Sequence, residues 1–167
     1  MTGHRLFSTA FGWSGIVWTD AGIRRSLLPV AEESIALEQL GAGCASSENT
    51  PLSHDALEAE RWIKQYFGGD IRQIRFRLDM SDLSEWQRRA CEAMLEIPVG
   101  EVRTYRWLAE ALGKPRAARA AGMACARNPL PVIVPCHRIV ASSGNLGGFA
   151  GGLELKQKML DIERGRI

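Results

Sequence analysis

The sequence lacks the features that mark membrane, secreted and disordered proteins. No unbroken apolar run approaches the roughly 18 residues that a membrane-spanning helix needs, so we expect no membrane partner. Residues 1–10 hold no apolar block followed by a small-residue cleavage site, and we expect a cytoplasmic protein without a secretory signal. Hydrophobic residues make up 46% and charged residues 24% of the 167, a globular mixture that predicts one domain or two small ones.

Cysteine is scarce, and its four residues are widely scattered: Cys44, Cys91, Cys125 and Cys136. No Cys-x-x-Cys pair occurs, so we expect neither a structural zinc site nor a redox centre. We expect no metal and no cofactor. A chain of this length in a reducing compartment also needs no disulfide framework, which leaves a chemical role open for one of the thiols.

Charge is nearly balanced over the whole chain but unevenly distributed. Eight cations against eleven acids give −3 in residues 1–83, whereas thirteen against eight give +5 in residues 84–167. Between Arg103 and Arg138 there are seven cations and one acid, Glu110. Such a stretch is typical either of a solvated face or of a phosphate-binding surface.

The first half of the chain predicts a small mixed α/β region. Apolar residues at 15–19 favour a strand, and so does the alternation of apolar residues with arginine at 74–78. Residues 57–67 have the spacing of an amphipathic helix. Residues 41–53 are rich in glycine, serine, asparagine and proline, so we expect a loop there.

The second half predicts four helices and a short buried strand. Ser84 is the expected N-cap of the first helix, which is about 13 residues long. Thr104 is the expected N-cap of the second helix, which ends by Gly113. The third helix is expected at 116–127 and the fourth at 153–163, with Leu153, Met159, Leu160 and Ile162 available for the core. Residues 130–134 are the strand candidate.

Two short helices joined by a glycine-containing turn have the outline of a helix-turn-helix, whose second helix is presented to a DNA groove. In that second helix, Arg116, Arg119, Met123 and Arg127 fall on one stripe. Small alanines surround them, which would let the helix backbone approach a ligand closely. The alternative is an alanine-rich helix packed tightly against its neighbours.

Cys136 stands in a chemically distinctive context. It lies between Pro135 and the pair His137-Arg138, after the basic helix and before the glycine-rich residues 142–152. Nearby positive charge would favour the thiolate, which is the nucleophilic form. Either Glu163 or Asp161 could supply the carboxylate that orients a histidine base.

A series of motifs gives the second half a specific resemblance to a known family. The motifs are Ile97-Pro98-x-Gly100, Tyr105, Leu108-Ala109, Gly113-x-Pro115-x-Ala117-Ala118-Arg119-Ala120, Asn128-Pro129, Pro135-Cys136-His137-Arg138 and Gly151-Gly152-Leu153-x-x-Lys156. In this order and spacing, residues 84–165 resemble the O6-alkylguanine-DNA alkyltransferases, also called methylated-DNA–protein-cysteine methyltransferases.

The resemblance implies an α/β (α+β) fold with two domains. Residues 1–80 would form a mixed α/β, ribonuclease-H-like structural domain. Residues 81–167 would form a helical, winged helix-turn-helix-like domain that binds DNA and carries the active site. We expect a monomer, and the sequence leaves clustering along DNA open.

The resemblance also implies the activity and the catalytic residues. The protein would flip O6-alkylguanine out of duplex DNA from the minor groove and transfer the alkyl group irreversibly to Cys136, once per molecule. His137, polarised by Glu163, would act on the thiol through a water, and Asn128 would brace the turn around the site.

Substrate contacts are implied in the same way. Tyr105 would crowd the 3′ phosphate of the target nucleotide and help to rotate that nucleotide out of the duplex. Arg119 would fill the place in the duplex that the nucleotide leaves. Phe149, Ala150 and Gly151 would line the base pocket. Phe149 and Ala150 stand where many members have tyrosine and serine, so backbone N–H groups, including that of Gly151, would have to replace their hydrogen bonds. The expected DNA contacts are Tyr105, Arg116, Arg119, Ala120, Met123, Arg127 and Arg138.

Two other functions are compatible with parts of the sequence. A cysteine hydrolase using Cys136, His137 and Glu163 would turn over without DNA, but it leaves the basic alanine-rich helix unexplained. A binding-only sensor of DNA lesions would resemble the alkyltransferase-like proteins, which lack the cysteine that this chain has.

Overall fold

The computed structural model describes residues 2–41 and 51–167. The chain divides into two compact units that alternate along the sequence. The first comprises residues 1–81 and 129–133, and the second comprises 82–128 and 134–167. The mixture of strands and helices confirms the predicted α/β fold class. Most of the loop predicted at 41–53, including Cys44, lies outside the described residues.

The first unit is built around a three-stranded antiparallel sheet. Its strands are β1 (Thr2–Thr9), β2 (Gly12–Thr19) and β3 (Gly22–Ser26), in that order across the sheet. Thr9 pairs with Gly12 at one end of the β1–β2 hairpin, and Thr2 pairs with Thr19 at the other. The strand predicted at 15–19 is therefore confirmed as part of β2.

Two helices belong to the same unit: α1 (Glu33–Leu40) and α2 (His54–Phe67). Ser53 caps α2, because its Oγ accepts a hydrogen bond from the backbone N–H of Ala56 at 3.1 Å. This cap explains why the helix predicted at 57–67 begins three residues earlier, at His54.

The strand predicted at 74–78 is wrong. Only Leu78 pairs with the sheet, as an isolated parallel bridge to Ile23. The backbone N–H of Arg77 donates to the carboxylate of Asp55 at 3.1 Å. Because a side chain takes this donor, it is not available to a continuous ladder, and the segment stays irregular.

The second unit contains four helices: α3 (Glu85–Leu95), α4 (Tyr105–Ala111), α5 (Ala118–Ala126) and α6 (Leu153–Glu163). Both predicted caps are confirmed. Ser84 Oγ accepts from the Gln87 N–H at 3.2 Å, and Thr104 Oγ1 accepts from the Trp107 N–H at 3.1 Å. The bounds of α6 are as predicted, but Leu153 is 51% exposed and does not join the core.

The short strands β4 (Arg103–Thr104) and β5 (Ile139–Val140) pair in parallel within this unit. The strand predicted at 130–134 is wrong, because the segment forms turns and Val132 has a φ of 74°. None of the helices in the described part of the chain is both long enough and apolar enough to cross a membrane.

Candidate active site

Cys136 opens a single 3-10 turn, Cys136–Arg138, directly before β5. Its backbone N–H donates to Val134 O at 2.8 Å, and the residue is only 7% exposed. Because β5 pairs with β4, which leads straight into α4, the turn that carries Cys136 is linked to the start of α4 through two residue pairs.

His137 and Glu163 form a buried pair. His137 Nε2 lies 2.6 Å from Glu163 Oε1, and both side chains are fully buried. Asp161 was the other candidate for the carboxylate that orients the histidine. Its Oδ1 instead accepts a hydrogen bond from Gln157 Nε2 at 3.1 Å. The structure therefore selects Glu163 as the partner of the histidine.

Arg138 binds the same carboxylate. Its Nε donates to Glu163 Oε2 at 2.8 Å and its Nη2 donates to Oε1 at 2.9 Å, while its Nη1 donates to Ile97 O. The backbone N–H of Gly100 adds a further donor to Oε2 at 3.1 Å. This placement corrects the expected DNA contact of Arg138, because its guanidinium is engaged inside the unit and the residue is 7% exposed.

These donors keep Glu163 ionised. Burial opposes the charged carboxylate, but the hydrogen bonds from His137 and Arg138 outweigh it and lower the pKa of Glu163 to about 2. An ionised carboxylate can only accept, so we assign the proton of the pair to His137 Nε2. Burial lowers the pKa of His137, which favours the neutral ring with its lone pair on Nδ1.

The thiol of Cys136 is neutral at rest. Burial raises its pKa, and the hydrogen bond from Asn128 and the charge of Lys156 act in the opposite direction. The sequence predicts that the positive charge of Arg138 stabilises the thiolate. The structure corrects this expectation, because Glu163 balances the charge of Arg138. A nucleophilic thiolate therefore has to form during the reaction.

Asn128 lies just past the end of α5. Its Nδ2 donates to Val134 O at 2.9 Å, and its side chain also hydrogen-bonds to Cys136. Asn128 thus connects the end of α5 to the residues that directly precede Cys136.

Lys156 closes the last of the family motifs in the sequence, but no role at the site was predicted for it. It is fully buried on α6, and its Nζ donates to three carbonyl oxygens, of Ile139 at 2.6 Å and of Leu146 and Gly148. Burial lowers its pKa. The signal was present, since Lys156 precedes the buried Met159 and Leu160 by three and four residues and so falls on the apolar stripe.

Tyr105 packs between α5 and the glycine-rich segment 142–152. A Cβ on Gly147, whose φ is 70°, would lie 2.7 Å from the ring, so only glycine fits there. The ring passes Gly122 of α5 on another side, where a Cβ would be 3.7 Å away. Phe149 also lies in this region, with its ring 5.8 Å from Lys156 Nζ, whereas Ala150 and Gly151 are exposed.

The predicted basic stripe lies on the open face of α5 and its approach. Arg116, Arg119, Ala120 and Arg127 are exposed, and Met123 is 47% exposed, while Ala121 and Ala124 are buried. Within the described residues, no ion pair or side-chain hydrogen bond engages the three arginines. Their charge is therefore available to phosphates.

Comparisons with known proteins agree with this geometry. Residues 85–165 match the family model of the 6-O-methylguanine DNA methyltransferase DNA-binding domain. The methylated-DNA–protein-cysteine methyltransferase of Mycobacterium leprae is 43% identical over 66% of this chain and 66% of its own length. That of Methanosarcina barkeri is 41% identical over 66% of this chain and 69% of its own length. The structure of Mycobacterium tuberculosis OGT in complex with DNA aligns with a TM-score of 0.79 at 30% identity, covering 98% of this chain and 94% of that one.

Proposed function

The chain belongs to the methylated-DNA–protein-cysteine methyltransferase family, whose activity is DNA repair by alkyl transfer, and we propose that Cys136 is the residue that accepts the alkyl group. The observation that carries this assignment is the buried relay behind the thiol: His137 Nε2 lies 2.6 Å from Glu163, and Glu163 stays ionised. The substrate is proposed to be O6-alkylguanine in duplex DNA.

The relay explains how a neutral thiol becomes a nucleophile. Since Nε2 of His137 is engaged with Glu163, the thiol proton has to reach the ring through Nδ1, by way of a water. Sulfur then attacks the alkyl carbon and the carbon–O6 bond breaks. The departing guanine takes up one proton, which balances the proton that the thiol gave to His137. The charge on Glu163 stabilises the imidazolium that forms between these steps.

The product is a thioether on Cys136, and the proposed relay contains no group that would hydrolyse it. Each molecule therefore reacts once. Asn128 supports the same step, because its hydrogen bond to Cys136 favours the charged sulfur.

DNA is the partner of the second unit, and we propose that α5 enters the minor groove. The small exposed Ala120 would allow close approach, and Arg116 and Arg127 would contact phosphates. Extruding the target nucleotide costs a few kcal/mol, least for a damaged pair. Tyr105 would press on the 3′ phosphate while Arg119 occupies the vacated stack. Phe149, Ala150 and Gly151 would line the base pocket, and the protein would act as a monomer.

Mass spectrometry after incubation with an O6-methylguanine duplex tests the proposal. We expect one methyl group, located on Cys136, and a plateau near one methyl per active molecule. The Cys136→Ala variant is the matched control and should still bind DNA. Continued product release would favour the cysteine hydrolase, and complex formation without modification would favour the lesion sensor.

A further inference from the structure

Gln87 is a buried polar residue on α3 that the alkyl-transfer mechanism does not use. It is 9% exposed, and its side-chain Nε2 donates to Ala124 O in the last turn of α5 at 2.8 Å. The same amide nitrogen lies 3.9 Å from Cys91 Sγ, one helical turn along α3. Buried polar side chains are normally hydrogen-bonded, and this bond satisfies the amide of Gln87 at the contact between α3 and α5.

The acceptor of this bond is an atom that helix geometry leaves available. The last four carbonyls of an α-helix have no partner in the continuing chain. The N–H of Asn128, which would reach Ala124 O in an α-helix, donates instead to Cys125 O at 3.2 Å. The chain therefore tightens into a 3-10 turn at this point, and Gln87 takes the carbonyl that the tightening leaves.

Asn128 is the residue whose backbone this tightened turn orients. Its side chain leaves the end of α5 and donates to Val134 O at 2.9 Å, and it also hydrogen-bonds to Cys136. A contact between Cys125 Sγ and Met94 Sδ at 3.7 Å joins α3 and α5 beside the same turn. Thus the hydrogen bond from Gln87, with the Met94–Cys125 contact beside it, holds the end of the helix proposed to read DNA and the start of the segment that braces the thiol.

We propose that Gln87 is a positioning residue for alkyl transfer, acting through Ala124 and Asn128 on Cys136. The inference rests on the proposed role of Cys136 as acceptor. It assigns to α3 a part in setting the reactivity of the sulfur, in addition to its part in packing.

The test uses the pH–rate profile for alkylation by free O6-benzylguanine, which needs no DNA binding. In Gln87→Leu, which keeps bulk but cannot donate, Asn128 loses its fixed direction. We expect the apparent pKa of the Cys136 thiol to rise by about one unit, which lowers the rate at pH 7 about tenfold. The rate should recover at alkaline pH.

Cys91→Ala is the matched control, because Cys91 is also buried on α3 and contacts Gln87 but has no bond to α5. It should lower the melting temperature and leave the pH–rate profile in place. If Gln87→Leu does not fold, Gln87→Met keeps the length of the side chain and has no donor for the Ala124 carbonyl, so it should shift the profile in the same direction.

Different results would overturn the acceptor role of Cys136 and the positioning role of Gln87. A wild-type protein with no alkyl group on Cys136 after the reaction would overturn the proposed acceptor. A wild-type protein that is alkylated on Cys136, together with a folded Gln87→Leu or Gln87→Met variant of unchanged profile, would overturn the role of Gln87 alone.

Discussion

Arg138 binds both oxygens of Glu163, at 2.8 and 2.9 Å, while His137 binds one of them at 2.6 Å. One carboxylate thus balances a permanent cation and polarises a base. The residue that carries the excess positive charge next to Cys136 is therefore not Arg138 but Lys156, whose charge acts on the thiol directly.

Glu163→Gln should slow the reaction and make it depend on alkaline pH. The variant keeps the volume but removes the charge that stabilises the imidazolium of His137. The thiol then loses its proton only as the solution pH approaches its own raised pKa. We expect the rate with free O6-benzylguanine to fall at pH 7 and to recover partly above pH 9. An unchanged profile in a folded variant would mean that Glu163 serves structure only.

The hydrogen-bonded carboxylate of Glu163 should make the free energy of unfolding fall at acidic pH. Glu163 has a folded pKa of about 2 against 4.5 for an unperturbed carboxyl, so its contribution is complete above about 4.5 and is lost as the pH falls through 2. The difference corresponds to roughly 3 kcal/mol at most. Urea unfolding of wild type and Glu163→Gln at pH 3 to 7 measures it. The gap between the two proteins should narrow towards pH 3, and a constant gap would contradict the ionised, hydrogen-bonded state of Glu163.

Lys156→Met should impair the thiol and loosen the glycine-rich segment together. Methionine matches the length of the side chain but leaves the carbonyls of Ile139 and Leu146 without their donor, at about 1–3 kcal/mol each. Loss of the cation should raise the pKa of the Cys136 thiol and slow alkylation at pH 7. The pH–rate profile and the rate of proteolysis within residues 142–152 report the two effects.

The control for this variant is Lys158→Met, on the exposed face of the same helix, where the ammonium pairs with Glu154. It should leave both measurements near those of wild type, because exposed pairs are worth little. A Lys156→Met protein with the profile of this control would show that the buried ammonium has no influence on the sulfur.

The sequence predicted the parts of this fold that local interactions determine. Ser84 and Thr104 cap the helices that follow them, because a cap needs only the next three residues. The strand at 74–78 failed because Asp55, 22 residues away, takes the N–H of Arg77. Nothing in the local pattern of a strand reveals such a competitor.

The same distinction applies to the site. Cys136 and His137 are adjacent in the chain, and only the resemblance to the family pairs His137 with Glu163. Arg138 was misassigned to DNA because its partner lies 25 residues away, so its charge could not be recognised as already balanced. Lys156 belongs to a family motif but had no predicted role, because its partners, three backbone carbonyls, cannot be recognised from the local sequence.

The corrected position of Arg138 predicts how salt affects DNA binding. For a protein that neutralises phosphates, log affinity falls with log salt by ~0.9 per contact. Arg116→Ala, at an exposed position before α5, should reduce the slope by about one contact. Arg138→Lys should leave the slope unchanged while slowing alkylation by the free base, since it disturbs Glu163. Equal slopes for Arg116→Ala and wild type would remove Arg116 from the DNA interface.

Arg119→Ala separates nucleotide flipping from chemistry. Arg119 is exposed on α5, and no hydrogen bond or ion pair within the described residues engages its guanidinium. If it fills the space left by the flipped nucleotide, its loss should slow repair of an O6-methylguanine duplex by at least about tenfold, the equivalent of 1.4 kcal/mol in the barrier. Alkylation by free O6-benzylguanine should keep its wild-type rate, because a free base needs no extrusion. Arg119→Lys, which keeps the charge but not the planar group, should recover DNA affinity more than the duplex rate. Equal losses on the duplex and the free base would instead assign Arg119 to the stability of α5, and the melting temperature of the variant would then fall as well.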